Sequence, residues 1–118
     1  MKEIFPESSA LLAEAQKVNL YDKLRVQLTK DFGLANVFVD FPEAILPEAL
    51  CKVLHEKIYV LLMERFSEYL NLLYVIDVPE KAFKEIQVTD AVDVAAQVSF
   101  LILKRELQKV RLKEKYST

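Results

Sequence analysis

Apolar side chains recur every three to four positions over most of this 118-residue chain, the spacing that gives an α-helix one greasy face. Leu20, Leu24, Leu28 and Phe32 form one such stripe, with Asp22, Lys23, Arg25 and Lys30 directed elsewhere. The pattern predicts a helix that begins near Asn19, capped by that side chain with Asp22 three residues on. Gly33, directly after the stripe, is the expected left-handed stop. A longer helix is expected from Pro47 to Asp77, with Leu50, Leu54, Ile58, Leu61, Leu62, Phe66, Tyr69, Leu73 and Ile76 turned inward. Its second half, Tyr69 to Ile76, is apolar nearly all round, as in a helix buried on several sides.

Turn chemistry is scarce, with one glycine and four prolines, so each break carries topological information. Every proline is followed by glutamate. Proline tolerates the first helical turn, where its missing N–H is not needed, and glutamate suits the positive end of the helix dipole. Pro6 (or the following Ser8 and Ser9), Pro47 and Pro79 therefore read as helix starts, the last opening a short helix to about Ile86. Thr89 or Asp90 caps a final helix that continues to about Tyr116. On it, Ala95, Ala96 and Ser99 offer a seam of close approach, beside an apolar stripe of Val94, Val98, Leu101 and Ile102. Between Ala35 and Leu46 the helical period disappears. Val37-Phe38-Val39-Asp40-Phe41 is strand-like in composition, either an extended connector packed by its aromatics or a strand paired across a dimer axis. The expectation is one all-α domain over residues 1–118: a small bundle of four to five helices with a long central helix and one short extended segment near residues 36–41.

Apolar residues make up 53% of the chain, above the usual ~45–50% for globular domains. Monomers seldom expose large contiguous apolar patches, so the surplus points to a face covered by a second copy or a protein partner. Val37, Val39 and Phe41, or Val94, Val98, Leu101 and Ile102, are the segments expected to supply it.

Charge is nearly balanced, 16 basic against 18 acidic residues, which advertises neither nucleic acid nor an anionic membrane. It is uneven along the chain. Lys104, Arg105, Lys109, Arg111, Lys113 and Lys115, with only Glu106 and Glu114 among them, place +4 on residues 104–115 of the final helix. Those cations are the candidates for phosphate contact, although the negative end of a helix dipole favours basic side chains without any ligand.

Candidate chemistry is thin. Glu48, Cys51 and His55 share one helical face, but a zinc site wants four ligands, and a Cys–His nucleophile wants an orienting group and an oxyanion hole. Glu64 and Glu68 are four apart and read as solvated surface. No glycine-rich phosphate loop exists. The reading is therefore non-enzymatic, with no cofactor. One cysteine excludes an internal disulfide, no leader-like apolar stretch opens the chain, and the longest apolar run, Ile58 to Met63, falls far short of the ~20 residues a membrane span needs. A cytoplasmic location is expected. The opening Met1-Lys2-Glu3-Ile4-Phe5-Pro6-Glu7-Ser8-Ser9-Ala10-Leu11-Leu12 and the stretch Tyr69-Leu70-Asn71-Leu72-Leu73-Tyr74 are similar to small uncharacterised bacterial helical proteins. That resemblance implies a bacterial cytosol and carries no activity, cofactor or site residue.

Overall fold

Proline begins two of the helices and stands immediately before a third. A computed structural model describes residues 5–116; Met1–Ile4, part of the stretch read above for a leader, and Ser117–Thr118 lie outside it. Six helices occur among the described residues: α1 (Pro6–Lys17), α2 (Tyr21–Leu34), α3 (Pro47–Glu64), α4 (Phe66–Ile76), α5 (Glu80–Phe83) and α6 (Ala91–Tyr116). Pro6 and Pro47 occupy the first turns of α1 and α3, and Pro79 is the N-cap of α5. Asp90 caps α6, accepting the Asp93 amide at 2.8 Å, while Thr89 donates to Asp93 at 2.8 Å. No strand is present among the described residues.

The helix stops differ from expectation, and for one reason. Gly33 lies inside α2 and does not adopt a positive φ. The left-handed residues that follow helices are Asn19 (φ 60°), Asn36 (φ 58°) and Asp77 (φ 66°), types whose short polar side chains tolerate that conformation; Ala44 (φ 68°) adopts it in the connector before α3. Asn19 thus ends α1 instead of capping α2. Leu20 N–H reaches Ala15 O at 2.8 Å and Val37 N–H reaches Phe32 O at 2.9 Å, the six-residue closure of a Schellman stop, which ties up carbonyls that would otherwise be orphaned.

The thirty-residue helix expected from Pro47 to Asp77 is two helices, which brings the number to six. Arg65 takes φ −138°, ψ 59° and serves as C-cap of α3 and N-cap of α4 at once. A straight helix of that length would be about 45 Å long, whereas the molecule's longest extent is 41 Å. The bend folds α4 back to pack on α2, α3 and α6, so Tyr69, Leu72, Leu73 and Ile76 are buried. The helix after Pro79 is also shorter than expected and ends at Phe83.

The core runs between α3 and α6, with Leu54 and Ile58 from one and Val98, Ile102 and Leu103 from the other fully enclosed. Ala95 and Ser99 lie buried on the expected small-residue seam, Ser99 Oγ donating to Ala95 O at 2.8 Å. Residues 36–41 form a connector that is neither helix nor strand, entered through the left-handed Asn36. Val37 and Phe41 turn into the core, and Phe41 meets Phe32 edge-on with ring centroids 5.8 Å apart. Side chains of α2 hold its backbone: Arg25 donates to Phe41 O at 3.0 Å and Tyr21 to Ile45 O at 2.5 Å. Burial pushes the Tyr21 phenol up to about 12, so it remains a donor.

Candidate functional site

The helical register does not turn Glu48, Cys51 and His55 into a site. Cys51 is buried, Glu48 is exposed, and His55 Nε2 is 2.9 Å from the Val92 carbonyl with the Phe5 ring 4.9 Å from its own. Among the described residues no group of three or more His, Cys, Asp or Glu side chains is placed to hold a metal ion. His55 also lines a 280 Å³ cleft with Asp90 and Asp93, but those two carboxylates are engaged at the α6 N-terminus, on the Asp93 amide and on Thr89 and Gln97 respectively.

The expected partner-facing residues serve the chain's own interior. Val37, Phe41, Val98 and Ile102 are buried, and Val39, Val94 and Leu101 pack against the core while partly covered. The apolar surface left open lies elsewhere. Four of the six basic residues of α6 are engaged with acceptors among the described residues. Arg105 pairs with Asp77 at 3.0 Å, Lys109 is drawn inward, Lys113 donates to Gln27 at 2.5 Å, and Arg111 is 3.6 Å from Glu14. Lys104, Arg111 and Lys115 share one face, but Glu7 and Glu14 stand across from them, so that face offers no uninterrupted basic track for a phosphate backbone.

What the sequence reading missed is a buried ionisable cluster where α2, α4 and α6 meet. Glu106 is wholly buried and Asp31 nearly so. Lys109 Nζ donates to Asp31 Oδ2 at 2.5 Å and to the Ile76 carbonyl at 2.9 Å, and lies 2.8 Å from Glu106 Oε1. Gln27 adds a donor to Asp31 at 3.1 Å. Two carboxylates thus share one ammonium. As a carboxylate, Glu106 has no well-aligned donor on either oxygen; as an acid, it can itself donate to Asp31, which settles both groups. Burial, followed by the Asp31 carboxylate beside it, accordingly pushes Glu106 up to about 8. Burial acts in the opposite sense on Asp31, but its hydrogen bonds from Glu106, Lys109 and Gln27 prevail and hold it below the usual carboxylate range. Lys109, held by both acids, is raised despite partial burial. At neutral pH the trio is one anion, one cation and one neutral acid, the arrangement that best avoids a net buried charge. None of the three lines the 280 Å³ cleft or the larger groove described next, so the cluster is placed to lock helices together, not to meet a substrate. Its sequence signal was Glu106 on the apolar side of α6, four residues after Ile102 and four before Val110.

The larger open feature is a groove of about 730 Å³ between α1 and α6. Ala10 and Leu11 of α1 and Phe100, Leu107 and Leu112 of α6 line it with apolar surface. Its rims are charged and opposite: Glu7 and Glu14 on α1, and Lys104, Arg111 and Lys115 on α6. A second open apolar face is the outward side of α4, where Phe66, Leu70 and Tyr74, four residues apart, are all exposed.

No family model matches the chain, and no curated protein or solved structure matches it significantly. The fold and site define an all-helical bundle with an open apolar groove, and any functional reading rests on this geometry. No helix of the described residues is long and apolar enough to cross a membrane.

Proposed function

We propose that this chain is a cytoplasmic helical interaction module that works by binding and not by catalysis, and that it associates with itself through apolar helix surface outside the core. One observation carries the reading: with the core closed, the α1/α6 groove still presents apolar surface along more than three turns of α6, from Phe100 to Leu112. A surface of this kind, concave, apolar within and charged at its edges, has the anatomy of a docking site. The absence of a catalytic reading has its own support, since the most perturbed acid, Glu106, is sealed inside the bundle. Structural ion networks perturb such groups as well as active sites do.

Sedimentation equilibrium and light scattering over a wide concentration range test the reading. A mass that rises from one chain to two with concentration supports it. A chain that stays monomeric throughout, and that recovers no protein partner in a native pull-down, removes it.

A further inference from the structure

We infer that the α1/α6 groove is covered by the same groove of a second copy, with the twofold axis running along the groove so that α1 of each chain lies over α6 of the other. This rests on the self-association proposed above and adds the face and the symmetry. The register of charges on the two helices selects this arrangement. α2 runs antiparallel to α6, because Lys23 contacts Glu114, Gln27 contacts Lys113 and Asp31 contacts Lys109. α1 turns back into α2 through the tight stop at Asn19, so α1 and α6 run parallel, and Glu14 sits opposite Arg111 at 3.6 Å. Seven residues earlier on both helices stand Glu7 and Lys104, which also face the groove. The face therefore carries two acid–base rungs spaced by two helical turns, about 10.5 Å, acidic on the α1 side and basic on the α6 side.

An isologous dimer can place its axis along such a groove or across it. An axis across the groove sets α1 over α1 and α6 over α6, acid on acid and base on base. An axis along the groove keeps the same height on both chains and exchanges the sides. Glu7 then meets Lys104 of the other copy and Glu14 meets its Arg111, each rung becoming a ring of four alternating charges. Exposed ion pairs add little strength, so these charges select the orientation, and the apolar surface around Leu11 and Leu112 holds the copies together. The groove spans about two turns of α1 and about four of α6, short of the ~800 Å² per partner of a standard interface, which places the pair among the weaker interfaces of under ~1,200 Å² in total. Self-association is expected at micromolar concentrations and above.

The test is charge reversal on the full-length chain, read by sedimentation velocity. All four rim residues are exposed, and circular dichroism checks that each variant folds. Glu7→Lys with Glu14→Lys, and separately Lys104→Glu with Arg111→Glu, are each expected to weaken self-association by at least tenfold. Mixing the two variants is expected to restore a dimer, since basic α1 then lies over acidic α6. Should a double reversal disturb folding, the single changes Glu7→Lys and Lys104→Glu give the same readout at smaller amplitude. A wild-type chain that remains monomeric overturns both this inference and the self-association it rests on. A dimer that ignores every rim reversal but is lost on Leu70→Lys in α4 overturns this inference alone.

Discussion

Replacing Glu106 by glutamine isolates the buried acid cluster, because the amide keeps the shape of the acid, can still donate to Asp31 and accept from Lys109, and never ionises. In the wild-type chain the folded pKa of Glu106, about 8, stands above its unfolded value of 4.5. An acid raised on folding binds more protons in the native state than in the unfolded one, so stability is fully present below the unfolded pKa, falls as pH rises through the interval, and levels off above the folded pKa. At ~1.36 kcal/mol per pH unit, the loss is roughly 3 kcal/mol by neutrality and at most about 5 kcal/mol by pH 9. Asp31 has the opposite sign: its pKa is lowered, and its contribution, present above its unfolded pKa of 3.8, disappears as pH falls through the lowered value. On these two groups the wild type should therefore be most stable near pH 4, between the unfolded values of 3.8 and 4.5, and the Glu106→Gln variant should lack the decline towards alkaline pH. Urea unfolding followed by far-ultraviolet circular dichroism between about pH 5 and about pH 9 measures this. The two proteins are expected to agree within about 1 kcal/mol at the acid end and to diverge by several in favour of the variant at the alkaline end. Parallel profiles, or a wild type whose stability is flat over that interval, would show that Glu106 is not held as a neutral acid and would sink the account of the cluster.

Two further substitutions test the local rules. Gly33 sits in the last turn of α2 with nothing within 4 Å of an added Cβ, so Gly33→Ala should stabilise the chain by about 0.5–1 kcal/mol through helix propensity; a loss measured by the same unfolding assay would mean that the position needs glycine after all. Asp90→Ala removes the acceptor for the Asp93 amide and should cost about 1 kcal/mol, with faster hydrogen exchange confined to the first turn of α6.

The helical period, the proline starts and the Asp90 cap were legible because they depend on neighbours three or four residues away, and the backbone obeys such local rules wherever it packs. The connector at residues 36–41 was legible as a break in the helical period, and Val37 and Phe41, turned inward while Phe38 stays exposed, settled it as a packed segment and not a strand. The bend at Arg65 was hidden, since no proline or glycine marks it. It exists because α4 gains cover from α2 and α6 that a straight rod would forgo. The left-handed stops at Asn19 and Asn36 were hidden for a related reason: Gly33 looked the better stop locally, but continuing α2 to Leu34 puts Val37 into the core beside Phe32.

Sequence by itself thus determined that the chain coils into helices and where most of them begin, because those choices are made within a single turn. Only the tertiary structure decided which apolar residues became interior, that Glu106, Asp31 and Lys109 should meet across 78 residues of chain, and that the rims of the α1/α6 groove should align Glu7 with Lys104 and Glu14 with Arg111. Contacts between distant segments depend on how whole helices stack, and no spacing along one helix encodes that.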